Sequence, residues 1–346
     1  MHALILAGGK GTRLRPLTVY TPKPIVPLMN RPFVLYQLEI LARAGIKDIT
    51  LSLSYQPDKI EDVLGDGTDF GVKLKFVTEP QPMGTAGAYK FAADRTRGTT
   101  IVLNGDILSD IDISKAIARH RETNADASIV LVRVDDPSRY GLVSTDEEGR
   151  VLNFLEKPAP GEQSTNGVNT INAGIYILEP AILDLIPESE NFSFEYNVFP
   201  AILEKGFKFH AVVLENEYWR DIGNPASYLQ AHMDFLAGTI GGFSSGSAGK
   251  SEIATAANVD ARSVLGEGCV VKPNARVINS VLGPGVHVEE KAVISNSVIW
   301  AHSRISSFAE IDGSVLGRSC YIGRNAVSHA GNVLGDKASI PDYSNI

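Results

Sequence analysis

Residues 3–16 read Ala3-Leu4-Ile5-Leu6-Ala7-Gly8-Gly9-Lys10-Gly11-Thr12-Arg13-Leu14-Arg15-Pro16. An apolar, β-type run ends abruptly on Gly8, Gly9 and Gly11, and cations follow at once. Glycines let a backbone approach a phosphate and turn successive N–H groups toward it, while Arg13, Arg15 and the later Lys23 of Thr21-Pro22-Lys23-Pro24 can neutralise phosphoryl charge. A dinucleotide fingerprint would need a third glycine where Leu14 stands, so that reading fails.

Working outward, the same strand-then-loop pattern recurs. Helix Leu35–Ala44, strand Ile49–Ser54, helix Pro57–Leu64, strand Leu74–Thr78, helix Gly84–Asp94 and strand Thr100–Leu103 alternate along the first half. That alternation predicts an α/β, Rossmann-like, mostly parallel sheet with helices on both faces. Ligands of such sheets bind beyond the carboxyl ends of the strands, which makes the residues after each strand the ones to inspect.

The C-terminal third is organised differently. Ser263-Val264-Leu265-Gly266 recurs as Ser280-Val281-Leu282-Gly283, Ser297-Val298-Ile299-Trp300 and Ser314-Val315-Leu316-Gly317, a constant step of 17 residues. Val271, Val288, Ile305 and Ile322 keep the same step, as do Ala275, Ala292, Ala309 and Ala326. Three short strands per step fit one turn of a three-sided parallel β-helix with branched residues inward and small ones at corners. The pattern resembles the hexapeptide-repeat family of left-handed β-helices, each turn being one residue short on one side. Between the two patterns lies a run of small residues from Gly241. The expected domains are 1–240, a linker 241–250, and a left-handed β-helix over 251–346. Gly249-Lys250-Ser251 has the end of a P-loop, but the glycine required five residues earlier is Ser244.

Thirty-two Lys plus Arg against 40 Asp plus Glu give a net charge of −8, which excludes the broad basic field of sequence-independent nucleic-acid binding. No apolar stretch reaches the roughly 18 residues that span a bilayer, and the first residues lack a basic leader, so a soluble cytoplasmic protein is expected. Cys269 and Cys320 share one repeat column three turns apart, about 14 Å at the usual strand spacing and too far for a disulfide. Scattered histidines show no metal spacing, so any metal is expected on carboxylates.

Leu6-Ala7-Gly8-Gly9-Lys10-Gly11-Thr12-Arg13-Leu14 with Lys23-Pro24 resembles the signature of sugar-nucleotide pyrophosphorylases, nucleotidyltransferases that join a sugar 1-phosphate to a nucleoside triphosphate. Further similar segments follow in family order: Asn104-Gly105-Asp106, Tyr140-Gly141, Phe154-Leu155-Glu156-Lys157-Pro158, Asn172-Ala173-Gly174-Ile175-Tyr176 and Trp219-Arg220-Asp221-Ile222-Gly223. They cover residues 1 to about 235, and a β-helix appendage occurs in the same family. The resemblance implies nucleotide contacts from Leu6, Ala7, Gly8, Gly9, Gly11, Thr12, Arg13, Gln81, Gly87 and Asp106. It implies sugar-phosphate contacts from Gly141, Glu156, Lys157 and Asn172, catalytic cations at Arg13, Lys23 and Lys157, and Mg²⁺ on Asp106 and Asp221. The residue chemistry agrees. Asp106 follows a strand at its carboxyl end, Asp221 supplies a second carboxylate, and magnesium takes one or two carboxylates plus phosphates and water. Glu195 is similar to a family segment near the sugar, without a physical role to assign.

The base is not fixed by these residues: Gln81 could serve thymine or uracil, and backbone carbonyls over Gly84 to Gly87 could serve guanine. Wider segments, including Arg31-Pro32, Thr85-Ala86-Gly87-Ala88 and Asn197-Val198-Phe199-Pro200, are most similar to mannose-1-phosphate guanylyltransferases. That similarity implies GTP with mannose 1-phosphate rather than dTTP or UTP with glucose 1-phosphate. The rivals are a catalytically inactive subunit that senses a nucleotide sugar and an acyltransferase in the β-helix, for which about five uninterrupted turns leave no loop insertion. Stacked turns with flat faces also imply a homo-oligomer formed through the β-helix.

Overall fold

The computed structural model describes residues 1–137, 140–156, 169–243 and 250–346. From the N-terminus the elements run β1 (His2–Leu6), β2 (Pro27–Leu28), β3 (Arg31–Pro32), α1 (Val34–Arg43), β4 (Asp48–Leu53), α2 (Pro57–Leu64), β5 (Lys73–Thr78), α3 (Gly84–Ala92), β6 (Thr100–Asn104) and β7 (Ile107–Ser109). They continue with α4 (Ile113–Glu122), β8 (Ala127–Arg133), β9 (Gly141–Thr145), β10 (Val151–Glu156), β11 (Thr170–Leu178), α5 (Phe199–Glu204), β12 (Phe209–Val213), β13 (Trp219–Asp221) and α6 (Pro225–Leu236). Contacts divide the chain into two compact units, Met1–Gly9 with Tyr36–Trp219, and Lys10–Leu35 with Arg220–Ile346. The segment Lys10–Leu35 therefore groups with the β-helix in the second unit.

The first unit is built on one sheet in the order β10-β9-β11-β6-β1-β4-β5, with β8 on β11 and β12 on β8. β1 runs parallel to β4 and β6, and β4 to β5, which is the parallel part expected from the alternation. β11 joins β6 antiparallel, and β9 and β10 extend that side antiparallel. Apolar side chains fill both faces of the central strands, which is why Ala3-Leu4-Ile5 and Ile101-Val102-Leu103 read as unbroken hydrophobic runs. An aromatic cluster closes one face: Tyr176 lies 5.1 Å from Phe194 and 5.2 Å from Phe199, and Phe154 lies 5.0 Å from Phe199 between ring centres.

In the second unit the repeats form three parallel sheets, one for each side of a β-helix. Val271, Val288, Ile305 and Ile322 stack in one column, and Ala275, Ala292, Ala309 and Ala326 are fully buried in another. Val281 pairs with Val298 and then Val315, keeping the 17-residue step. At the two ends the step is 18, as Glu252 pairs with Val270 and Val315 with Val333. Inside the helix the repeated serines form a polar ladder. Ser280, Ser297 and Ser314 each donate a backbone N–H to the hydroxyl one turn below, at 3.0–3.1 Å. Their own hydroxyls donate to carbonyls two residues earlier, so a buried polar column is satisfied throughout. Cys269 and Cys320 are both buried free thiols. Among the described residues no helix is long and apolar enough to cross a membrane.

Candidate active site

In the first unit the carboxyl ends of the parallel strands converge. Leu6 accepts the Gly105 N–H at 2.9 Å and Ala7 donates to Ser52 O at 2.9 Å, while the Ser54 hydroxyl donates to Gly8 O. A Cβ on Gly105 would lie 2.5 Å from Leu6 O, so only glycine lets the Asn104-Gly105-Asp106 turn close onto β1. Gln37, buried in α1, clamps that turn by donating its side-chain amide to Asn104 O at 2.9 Å and Ile107 O at 3.0 Å. Asp106 is thereby presented, half-buried, directly after β6. Gln37 carries no signal in the sequence that would have marked it.

A Cβ on Gly9 would meet nothing within 4 Å. Its lack of a side chain is not required by the protein's own packing and leaves open room beside the backbone. The N–H groups of Gly8 and Gly9 donate to no backbone carbonyl among the described residues, and successive N–H groups of this kind suit an anion.

Gly8 faces a group that the sequence reading passed over. A Cβ there would lie 2.5 Å from Glu79 Oε1. Glu79 is the first residue after β5, 8% exposed, and Ser52 donates its hydroxyl to Oε1 at 2.9 Å. Burial raises its pKa, against the opposing pull of hydrogen bonds from Ser52 and the Met83 N–H. Gln81, the residue expected near the base, is exposed two positions further on. Gly87 is buried in α3, where a Cβ would lie 2.4 Å from Glu190 O, so its glycine is explained by packing against that backbone. The position of Glu79 directly after strand β5 was the available signal.

The sugar-phosphate candidates gather around Tyr176, wholly buried on β11. Its hydroxyl receives a hydrogen bond from Asn172 Nδ2 at 2.9 Å, and Asn172 Oδ1 accepts the Gly174 N–H at 2.8 Å. Burial holds the Tyr176 phenol well above its ordinary pKa, with Glu195 and Glu156 adding to the effect. Glu195 accepts from the Thr85 hydroxyl at 3.0 Å and the Ser193 hydroxyl at 2.5 Å, which gives this carboxylate a fixed place beside Tyr176. A Cβ on Gly141 would lie 2.6 Å from Glu156 Oε2, so Gly141 makes room for that carboxylate. Trp219 donates its indole N–H to Ala173 O at 2.9 Å and fastens the end of the first unit onto β11. Lys157 lies outside the described residues.

In the second unit Thr12–Leu14 form a turn of 3₁₀ helix entered through Gly11, whose φ of 60° belongs to the left-handed region. Thr18 donates its hydroxyl to Gly11 O at 2.7 Å, and a Cβ on Gly11 would lie 3.3 Å from the Lys23 Cβ. Gly11 and Lys23 are thus brought side by side, with Thr12 exposed next to them. Arg13 Nη1 lies 3.8 Å from Asp221 Oδ2. Gly223 permits this, since a Cβ there would lie 2.9 Å from Arg13 Nη1 and 2.8 Å from Asp221 Oδ1. Four of the sequence-predicted residues, Gly11, Arg13, Lys23 and Asp221, are therefore assembled within this unit.

A nucleotidyl transferase family profile matches residues 2–238. The chain belongs to the nucleotidyl transferase family. A second profile, the EIF2B subunit epsilon LbH domain, matches 247–346, in keeping with a left-handed hand for the parallel β-helix of this nucleotidyl transferase. Mannose-1-phosphate guanylyltransferase of Mycobacterium tuberculosis is 42% identical over 242 residues, covering 69% of this chain and 65% of that protein. The chain therefore spans just under two thirds of that relative's length. Mannose-1-phosphate guanylyltransferase 1 of Arabidopsis thaliana is 37% identical, covering 80% of this chain and 76% of that protein. A solved structure of a candidate glucose-1-phosphate thymidylyltransferase from Bacillus anthracis superposes with a TM-score of 0.62 at 24% identity, covering 71% of this chain and 98% of that one. It shares the fold.

Proposed function

We propose that this nucleotidyl transferase joins GTP and mannose 1-phosphate to give GDP-mannose and pyrophosphate. The observation that carries the choice of base is Glu79. Guanine offers two adjacent donors, N1–H and the exocyclic amine, and a carboxylate supplies two acceptors side by side; thymine and uracil offer one donor and one acceptor, which an amide matches. A buried carboxylate held by Ser52 against Gly8 suits the first demand. The guanylyltransferase names of the relatives support the same substrate pair.

In the proposed reaction an oxygen of mannose 1-phosphate attacks the α-phosphorus of GTP in line, and the bond to the bridging oxygen of the leaving pyrophosphate breaks. No protein nucleophile is needed, so the chain contributes alignment and charge neutralisation. Leu6 and Ala7 lead the chain to the Gly8–Thr12 donors, which with Arg13 and Lys23 hold the triphosphate. Lys157 holds the sugar phosphate, while Glu156, Asn172 and the space at Gly141 receive the sugar. Asp106 and Asp221 are the carboxylates proposed for Mg²⁺. Both are hard oxygen donors of the kind magnesium takes, its coordination being completed by phosphates and water. When bound, Mg²⁺ supplies positive charge to the phosphate oxygens. We further propose that the flat faces of the β-helix join copies of the chain.

Pyrophosphate release by the purified chain, measured for GTP, dTTP, UTP and ATP against mannose and glucose 1-phosphates, is the test. The largest kcat/KM is expected for GTP with mannose 1-phosphate. A larger value for dTTP with glucose 1-phosphate would overturn the substrate choice, and no release with any pair would overturn catalysis in favour of a sensing subunit.

A further inference from the structure

One column of the repeat contains an exception. Gly266, Gly283 and Gly317 occupy it in three turns, and in each a Cβ would lie 2.5–2.6 Å from the backbone nitrogen of Pro284, Ala301 or Asp336. The fourth member is Trp300. Its side chain is 2% exposed, and its indole N–H donates to the Tyr228 hydroxyl at 3.0 Å. Tyr228, on α6, donates in turn to Pro27 O. The guanidinium of Arg318, one turn above, lies 5.1 Å from the Trp300 ring centre, and its Nη1 donates to the Thr21 hydroxyl.

These contacts end on the segment that carries Arg13 and Lys23, and all lie within the second unit. The segment is also held where Asn30 Nδ2 donates to Leu282 O at 2.9 Å and where Gly335 approaches Pro16 closely enough that a Cβ would lie 3.1 Å from the proline's own. The anchors thus fall at Pro16, Thr21, Pro27 and Asn30. Lys23 sits between two of them, in a 3₁₀ turn flanked by Pro22 and Pro24 that transmits a displacement of Thr21 directly. A planar guanidinium seated over an indole has one orientation for its donors, unlike an ammonium on a flexible stem. General adhesion between two surfaces would not need a buried indole in a column otherwise reserved for glycine.

We propose that Arg318 and Trp300 are positioning residues for the nucleotidyl transfer: the β-helix fixes Thr21, and through it the phosphate-holding Lys23. The proposal rests on the function proposed above. The experiment is steady-state kinetics of the full chain with Arg318→Met, Arg318→Lys, Thr21→Val and the double variant Arg318→Met/Thr21→Val, alongside thermal unfolding of each. Arg318→Met is expected to lower kcat at least tenfold with the KM for the sugar phosphate changed less than twofold and Tm preserved. Arg318→Lys, whose ammonium can still reach Thr21 but has no fixed orientation over the indole, should recover only a small part of the loss, and the double variant should be no worse than the poorer single one. Thr21→Val keeps the test alive should Arg318→Met not fold. A kcat within twofold of the wild type in both single variants, or losses that multiply in the double variant, would overturn the proposal. Absence of pyrophosphate release from the wild-type chain would instead overturn the function on which it rests.

Discussion

Glu79→Gln is a nearly isosteric change that tests base selection with little disturbance of the fold. In the wild-type chain Ser52 occupies Oε1 from below, and burial, the largest influence on the carboxyl's pKa, already disfavours its charge. The relief of a disfavoured charge is offset by the acceptor that the Met83 N–H loses, so Tm should change little. With the amide oxygen kept on Ser52, the amide nitrogen points at the base and replaces an acceptor by a donor. Guanine then loses one hydrogen bond to a charged group, worth about 1.5–3 kcal/mol, and is left with two donors face to face. Taking about 3 kcal/mol for the sum, kcat/KM for GTP should fall about 100-fold at 1.4 kcal/mol per decade. The same amide matches thymine and uracil, so kcat/KM for dTTP or UTP should rise. Initial rates of pyrophosphate release at sub-saturating GTP and dTTP, with mannose 1-phosphate saturating, give the ratio directly. An unchanged GTP-to-dTTP ratio in a folded variant would refute the assignment of Glu79 to the base.

Asp106→Asn and Asp221→Asn should each lower kcat at least about 100-fold with little change in Tm, since both are half-buried, Asp106 after β6 and Asp221 at the end of β13, and their proposed role is magnesium binding; wild-type turnover at saturating Mg²⁺ in either variant would sink that role. Lys157→Met should raise the KM for the sugar phosphate at least tenfold more than the KM for GTP, and an equal effect on both would move Lys157 off the sugar phosphate. Burial pushes the pKa of His232 down to about 3. Its contribution is therefore complete above the unfolded value near 6.5 and is lost as pH falls, because the unfolded chain takes the proton first. Between pH 6.5 and 5 this group should cost about 2 kcal/mol of stability, at about 1.4 kcal/mol per pH unit; urea titrations should show that slope in the wild type and not in His232→Leu, and equal slopes would exclude it. Light scattering of the full chain should give more than one copy, and a monomer at micromolar concentration would remove the β-helix as an assembly surface.

The fold was legible because periodicity carries it. The apolar runs of β1, β4, β5 and β6 are bounded by glycines and turn residues, and each strand begins or ends within a residue or two of its expected bounds. The 17-residue columns map one to one onto stacked strands. Candidate residues in contiguous motifs, such as Gly11 and Arg13, drew attention because glycines and cations follow a strand directly. Those that act through distant contacts were not. Gln37 clamps a turn 67 positions away, and Glu79 reaches Gly8 across the end of the intervening strand β4. Gly223 stood in a quoted motif, yet its purpose became visible only with Arg13 lying over it. Gln81 lies exposed two residues beyond the carboxylate that the strand end presents.

The serine ladder of the β-helix treats all its rungs alike, so sliding the stack by one full coil would preserve nearly every hydrogen bond except those at the ends. A periodic code of that kind specifies a shape but not a phase. Trp300 breaks the degeneracy: an indole seated between Tyr228 and Arg318 can be matched by no glycine of its column, so only one coil can sit against α6. The aberrant letter in the repeat thus serves as an address mark, one that the contacts of Asn30 with Leu282 and of Arg318 with Thr21 read in the same frame.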